Sequence, residues 1–269
     1  MELTQAIVLA LVQGLTEFLP ISSTAHLILV PYAANWPDQG LAFDVALNTA
    51  TWLAVLVYFR NDAWVLARGF FRTIKDRGIR GNRDGELAWM VLVATIPVGI
   101  AGLLAHKYVE HELRTIAVIG VSSLVWAAAL YFADRRPGRM GVDGMGWGAA
   151  LIVGLSQAIA LIPGTSRSGV TMTFGLFMGL SRTGAARFSY LLAIVVGGLA
   201  GGMEGVKMLK SGVAVPWTAV GIGFVIAFVS AYLVIHYFLK FLSRSSMLPF
   251  VAYRVMLGAA LVAYAWRLA

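Results

Sequence analysis

No cysteine occurs in the 269 residues, which excludes disulfides and thiolate metal sites and leaves the redox compartment unmarked. Charge is scarce too: Asp, Glu, Lys and Arg make up 13% of the chain, against about a quarter in a soluble domain. The alternating segments, about ten residues long, that mark an outer-membrane barrel are missing. The N-terminus has no basic region, starts with Glu2 and carries Glu17 within its apolar run, which argues against a cleaved signal peptide. What is present is apolar: 59% of residues are hydrophobic and the mean hydropathy is +0.79. The apolar blocks run to roughly 17–24 residues, the helix length that crosses a hydrocarbon core of about 30 Å. The expected fold is an all-α polytopic membrane protein, a single integral membrane domain over residues 1–269.

The net charge is +8. Most of the excess lies in loops flanking apolar spans, where Lys and Arg set topology and meet anionic headgroups. Membrane lipids, and no nucleic acid, are the partners this pattern implies.

Six full spans are expected, at 41–59, 87–104, 115–133, 186–203, 217–239 and 248–266. Two further regions, 3–32 and 147–180, are long enough for more than one crossing but are interrupted by Pro20-Ile-Ser-Ser-Thr24 and Pro163-Gly-Thr-Ser-Arg-Ser-Gly169. Proline removes a backbone donor and breaks a helix, and broken backbone at membrane depth survives only inside protein or against a cavity. Both regions are therefore expected to be re-entrant helix-loop-helix hairpins.

Lys and Arg then orient the chain. Seven lie between Arg60 and Arg83, three more are Arg135, Arg136 and Arg139, and Lys240 and Arg244 complete one side. The opposite loops hold Lys107, Arg114, Lys207 and Lys210. The first set belongs in the cytoplasm, so both termini lie outside, the first hairpin enters from outside and the second from inside. Each half, about 1–135 and 147–269, is then one hairpin followed by three spans, an inverted-topology repeat. Aligning Pro20 with Pro163 sets Ser23 against Ser166. In such folds broken helices meet near the midplane, with half-helix N-termini facing an anion.

Ionisable groups at that depth are expensive and mark function. Ser22, Ser23 and Thr24 occupy the cap and first turn of a half-helix, where hydroxyls cap free N–H groups. Ser23 and His26 are three apart and share a helix face, so a nucleophile and proton-transfer pair is one reading; a structural histidine is the other. Glu17 is either the ion-pair partner of an intramembrane arginine, or a metal ligand or base. Gly164, Thr165, Ser166, Arg167, Ser168 and Thr171 read as an anion cradle, with a planar fork at Arg167 suited to phosphate oxygens. A helix terminus contributes only about 1 kcal/mol, so a multiply charged substrate needs Arg167 and a divalent cation, Mg²⁺ or Ca²⁺, held by oxygen ligands. Spacing alone leaves open whether the phosphate is cleaved or carried.

The run Gln13-Gly-Leu-Thr-Glu17-Phe-Leu-Pro-Ile-Ser-Ser-Thr-Ala-His26, with Pro163-Gly-Thr-Ser-Arg-Ser-Gly-Val-Thr171, resembles the paired motifs of the undecaprenyl-diphosphatase, or bacitracin-resistance, family. The likeness extends to Phe43-Asp44-Val45, Arg187-Phe-Ser-Tyr-Leu-Leu192 and Tyr253-Arg254. It implies an inner-membrane phosphatase that converts undecaprenyl diphosphate, a polyprenyl diphosphate lipid, to the monophosphate for cell-wall synthesis, with its site open to the outer face. It assigns Ser23 as nucleophile, His26 as proton-transfer or attacking group, Glu17 as the metal-linked acid and Arg167 as the pyrophosphate clamp. Three departures bear on the metal and the geometry: Gln13 stands where many members carry glutamate, Asn48-Thr-Ala-Thr51 replaces a Gly-Thr or Gly-Ser type of segment, and Val195 or Val196 replaces a proline common after the Phe-Ser-Tyr-Leu-Leu stretch.

Gly197, Gly198, Gly201 and Gly202 form small-xxx-small pairs, which suggest close helix packing and a possible homodimer. Arg187 and Arg254 lie near helix ends, where snorkelling explains them and phosphate binding is the alternative. Besides the lipid diphosphatase, two other functions fit this sequence: a transporter or flippase of a polyprenyl phosphate, and an anionic-lipid scaffold that leaves Glu17, His26 and Arg167 without purpose.

Overall fold

The computed structural model describes residues 2–79, 81–211 and 216–268, apart from the side chains of residues 106–112, 209, 211 and 268. Arg80 and Lys107 of the charge pattern lie outside this description. In chain order the helices are α1 (Leu3–Thr16), α2 (Ser23–Ala34), α3 (Leu41–Tyr58), α4 (Arg60–Lys75), α5 (Arg83–Glu112), α6 (Ile116–Asp134), α7 (Trp147–Ser156), α8 (Arg167–Phe177), α9 (Arg182–Ser211), α10 (Trp217–Leu242) and α11 (Leu248–Leu268). Short 3₁₀ turns at Val142–Gly144 and Gln157–Leu161 complete the secondary structure. No strand occurs among the described residues, only an isolated bridge between Met140 and Leu180.

Six helices are long and apolar enough to cross a membrane: Leu41–Tyr58, Arg83–Ala105, Ile116–Asp134, Arg182–Met208, Trp217–Leu242 and Leu248–Arg267. They coincide with the six expected spans, and the chain is a multi-pass helical membrane protein. The helices flanking the two proline breaks are shorter: α1 and α2 have 14 and 12 residues, α7 and α8 have 10 and 11. None reaches the roughly 20 residues that a crossing requires.

One difference from the sequence reading lies at residues 60–75, part of the basic connection, which folds as α4. Its charges conceal an amphipathic helix. Gly69 and Thr73 are buried, while Trp64, Phe71 and Ile74 are exposed. Gly69 meets α5 closely enough that a Cβ there would lie 2.5 Å from the Gly85 nitrogen, so only glycine permits this crossing.

α1 packs on α10 and α10 on α3; α3 packs on α9 and α6 on α11; α5 packs on α7. α8 lies among α6, α7 and α9 and is buried at Ser168–Thr173, Gly175 and Leu176. Gly14 allows the α1–α10 crossing, since a Cβ there would fall 1.9 Å from Ser230 Oγ. The glycine pairs of α9 divide: Gly197 and Gly198 pack on Trp52 of the same chain, whereas a Cβ on Gly202 would meet nothing within 4 Å. After α8 the chain returns to the segment that precedes α7. Met140 N–H donates to Gly179 O (3.3 Å) and Ser181 N–H to Met140 O (2.8 Å).

Candidate active site

Both proline breaks restart as helices in the same way. Ser22 has φ 75° and its Oγ accepts from Ala25 N–H; Ser166 has φ 71° and its Oγ accepts from Gly169 N–H. A non-glycine residue with positive φ costs of order 1–3 kcal/mol and persists where its surroundings enforce it. The structural equivalence is therefore Ser22 with Ser166, one residue away from the proline alignment. Ser23 and Arg167 become the matching first residues of α2 and α8.

The unwound backbone of the first break is satisfied by the second half of the chain. Ser168 Oγ donates to Leu19 O (2.8 Å) and Glu17 O (3.4 Å), and Tyr190 Oη donates to Phe18 O (3.1 Å). Arg254 donates through Nη1 to Pro20 O (2.9 Å), through Nη2 to Gly164 O (2.7 Å) and through Nε to Ser123 O (3.3 Å). The carbonyls of Phe18, Leu19 and Pro20 thus each have a partner, which is what broken backbone requires away from water. Arg254 is only 1% exposed, so it does not snorkel; its fork ties the two breaks together.

These bonds also correct the cradle. Thr165 bonds Ser122 (2.9 Å), Ser168 faces the first break, and Thr171 donates to Ser189 Oγ (2.7 Å) and to backbone carbonyls. Gly164, at φ +88°, packs where a Cβ would sit 2.6 Å from Ile119 O. These four stitch the core and are absent from the cavity wall, whereas Ser22, Ser23, Thr24, Ser166 and Arg167 line it. Arg187 is elsewhere: its Nη2 pairs with Asp62 Oδ1 at 2.5 Å, and it sits in the first turns of α9 while Glu204, far along the same helix, lines the cavity.

That cavity, about 630 Å³, has Gln13, Glu17, Ser23 and Arg167 in its wall and Asp38, Gln39, Asp44, Arg114 and Glu204 also around it. Glu17 is the hub. Its Oε1 accepts from Arg167 Nη2 (2.7 Å), and its Oε2 accepts from Ser23 Oγ (2.5 Å) and from Gln13 Nε2 (3.1 Å). Ser23 is thus bonded to Glu17, and the expected Ser23–His26 pair does not form. His26 is held away: Nδ1 lies 2.7 Å from Ser22 O and Nε2 2.5 Å from Tyr253 Oη. A carbonyl only accepts, so Nδ1 carries a proton and donates to Ser22 O, while Nε2 bonds the tyrosine hydroxyl. The two rings stack, 5.7 Å between centroids and 14° apart.

Two amide side chains, Gln13 and Asn48, adjoin Glu17. Gln13, 1% exposed, donates from Nε2 to both Glu17 and Asn48 Oδ1 (3.0 Å), which fixes its amide and leaves Oε1 buried without a hydrogen-bond partner. Among the described residues no three His, Asp or Glu side chains cluster as a metal cage. One carboxylate with neutral oxygens fits a hard cation that draws its other ligands from phosphate and water. Two of the sequence departures, Gln13 and Asn48, are bonded to each other.

The family model described as "Bacitracin resistance protein BacA" matches residues 6–260. The chain belongs to the BacA bacitracin-resistance family. Among its relatives in that family, one from Campylobacter concisus named "Undecaprenyl-diphosphatase" is 52% identical over 262 residues, covering 97% of this chain and 98% of the relative. "Undecaprenyl-diphosphatase 2" from Stutzerimonas stutzeri is 50% identical over 266 residues with the same coverage. A protein from Teredinibacter turnerae named "Undecaprenyl-diphosphatase" is 50% identical over 262 residues, again covering 97% and 98%. Asn48, Tyr190 and Tyr253 are the site and scaffold residues to which the sequence reading gave no role. Tyr190 and Tyr253 fall inside stretches shared with the family, but nothing local to them names their partners.

Proposed function

We propose that this protein hydrolyses undecaprenyl diphosphate to undecaprenyl phosphate and inorganic phosphate, recycling the lipid carrier for cell-wall synthesis in the bacterial inner membrane. The observation that carries this reading is the Ser23–Glu17–Arg167 arrangement in the cavity wall. It sets a hydroxyl, an acceptor for its proton and a guanidinium fork around one space. The names of relatives similar over nearly the whole chain support the substrate.

Phosphoryl transfer needs positioning and charge neutralisation more than covalent machinery. Arg167 takes oxygens of the diphosphate with the help of Ser22, Thr24 and Ser166. Ser23 Oγ attacks the terminal phosphorus as its proton passes to Glu17. The bridging P–O bond breaks and undecaprenyl phosphate leaves; water then attacks the phosphoserine, releasing inorganic phosphate and restoring the serine. His26, bonded to the Ser22 carbonyl and to Tyr253, positions this turn and is not the attacking group. Glu17 and Gln13 would hold a Mg²⁺ or Ca²⁺ ion, which would further neutralise the diphosphate charge.

The same reading takes α1–α2 and α7–α8 as re-entrant hairpins of an inverted repeat. Supporting it, α6 packs on α11 and α3 on α9, which are the pairs that such a symmetry maps onto themselves. The α1–α10 contact has its counterpart in α7–α5, and α3–α10 in α9–α5. The cavity is bordered by residues from the connections poor in Lys and Arg, among them Asp38 and Arg114, which supports an opening on the extracytoplasmic side.

The test is phosphate release from undecaprenyl diphosphate by detergent-purified protein with Mg²⁺ or Ca²⁺. Release is expected. Lipid transfer between leaflets in vesicles without release overturns the enzyme and favours a flippase.

A further inference from the structure

We propose that the groove between α5 and α9 seats the isoprene units nearest the diphosphate, so that the polyprenyl chain leaves the site sideways into lipid. This rests on the function proposed above. The groove has a volume of about 300 Å³ and is lined by Val98, Gly99, Gly102 and Leu103 of α5 and by Leu199 and Met203 of α9, among others. It adjoins the site. Val196, Ala200 and Glu204 line both the groove and a smaller cavity of about 170 Å³ whose wall includes Glu17 and Arg167. The walls thus run from the charged pair, past Trp52, Val196 and Ala200, to a groove that is mainly aliphatic, with Thr95, Glu204 and Lys207 as its polar members. That is the order of polarity along a prenyl diphosphate.

Two features show that the groove is not simply poor packing. Leu103, Leu199 and Met203 are 69%, 60% and 50% exposed, an apolar surface on two membrane-length helices beside the cavity that holds the charged pair. Gly99 and Gly102 each have nothing within 4 Å of the place a Cβ would take. Glycine inside a helix costs about 1 kcal/mol relative to alanine, and here no close helix crossing calls for it, unlike Gly69 or Gly154. Their missing side chains keep the groove open. From Thr95 to Leu103 it follows about 12 Å of α5 at 1.5 Å per residue.

Gly102→Leu fills the groove with a side chain the backbone accommodates, and Gly221→Leu on α10, where a Cβ also meets nothing within 4 Å, is the control. Phosphate release is measured for undecaprenyl diphosphate and for the short substrate methyl diphosphate, which carries no isoprene unit. The ratio of kcat/KM for the long over the short substrate is expected to fall about tenfold or more in Gly102→Leu, through KM, as expected for a changed apolar contact, and to keep its wild-type value in Gly221→Leu. An unchanged ratio in Gly102→Leu overturns the proposal. A polyprenyl diphosphate with a photoreactive group in its first isoprene units provides the second measurement on wild-type protein: crosslinks are expected within 95–103 and 196–203, and crosslinks confined to other helices overturn the groove. If the wild type cleaves neither substrate, the proposed function fails, and the crosslinking map still decides where the chain lies.

Discussion

Arg167 Nη2 donates to Glu17 Oε1 at 2.7 Å across 150 positions of sequence. The other oxygen of the same carboxylate accepts the Ser23 hydroxyl. One carboxylate thus orients both the guanidinium from α8 and the hydroxyl from α2, and the Arg167 and Glu17 side chains are only partly exposed. Arg167→Lys keeps the charge but loses the planar fork. A drop in kcat/KM of about 100-fold or more is expected, the scale of removing one donor to developing transition-state charge. Steady-state kinetics on folded variant protein check it.

Tyr253→Phe leaves the ring stacked on His26 but removes the hydroxyl that Nε2 bonds. The histidine keeps its bond to Ser22 O and loses its second anchor. Loss of orientation should cost less than the 10²–10⁴ that a general acid–base group contributes, so a fall in kcat of about 10- to 100-fold is expected. His26→Ala, which removes both bonds, is expected to exceed it. The comparison is read from kcat at saturating substrate.

Arg254→Met should be among the most destabilising single changes in the chain. It strands the carbonyls of Pro20 and Gly164, which otherwise accept charge-assisted bonds worth about 1.5–3 kcal/mol each. A loss of roughly 3–5 kcal/mol is expected, visible as a lowered Tm in detergent. Arg254→Lys should recover only part of it, because one ammonium cannot reproduce the fork.

At Ser22, the backbone and the hydroxyl pull apart in mutagenesis. Ser22→Gly relieves the φ of 75° and loses the cap, which for glycine costs only a few tenths of a kcal/mol. Ser22→Ala loses the cap at about 1 kcal/mol and keeps the strain. Thermal unfolding should rank wild type and Ser22→Gly close together, with Ser22→Ala below both.

If Gln13 Oε1 is a cation ligand, replacing the amide by a carboxylate strengthens it. Gln13→Glu is expected to lower the Mg²⁺ or Ca²⁺ concentration for half-maximal phosphate release, and a chelator is expected to suppress release in both proteins. Titration of each protein with the cation after chelation checks this.

The six spans and the two breaks were legible because each is local: an apolar block of crossing length, or a proline followed by hydroxyls and glycine. The presence of Glu17, Ser23 and Arg167 in one site was legible for the same reason, since ionisable groups stand out against apolar sequence. Their pairing was not. Ser23 and His26 share a helix face, yet Ser23 turns to Glu17 and His26 to Tyr253, 227 residues away. The hydroxyls of Thr165, Ser168 and Thr171 look the same in sequence as that of Ser166, but the first three satisfy groups on α6, on the first break and on α9. Arg254 looked like a helix-end cation because its acceptors are backbone carbonyls, which carry no sequence signal. Arg187, a candidate for phosphate, found Asp62 on α4, a helix hidden inside a basic connection.

Phosphate release from undecaprenyl diphosphate by purified wild type, Ser23→Ala and Arg167→Ala, measured side by side with a cation present, tests the central claim most directly. The account predicts release by wild type and a loss of about 10³-fold or more in each variant, with melting behaviour retained. Ser23→Ala protein that releases phosphate at the wild-type rate contradicts it.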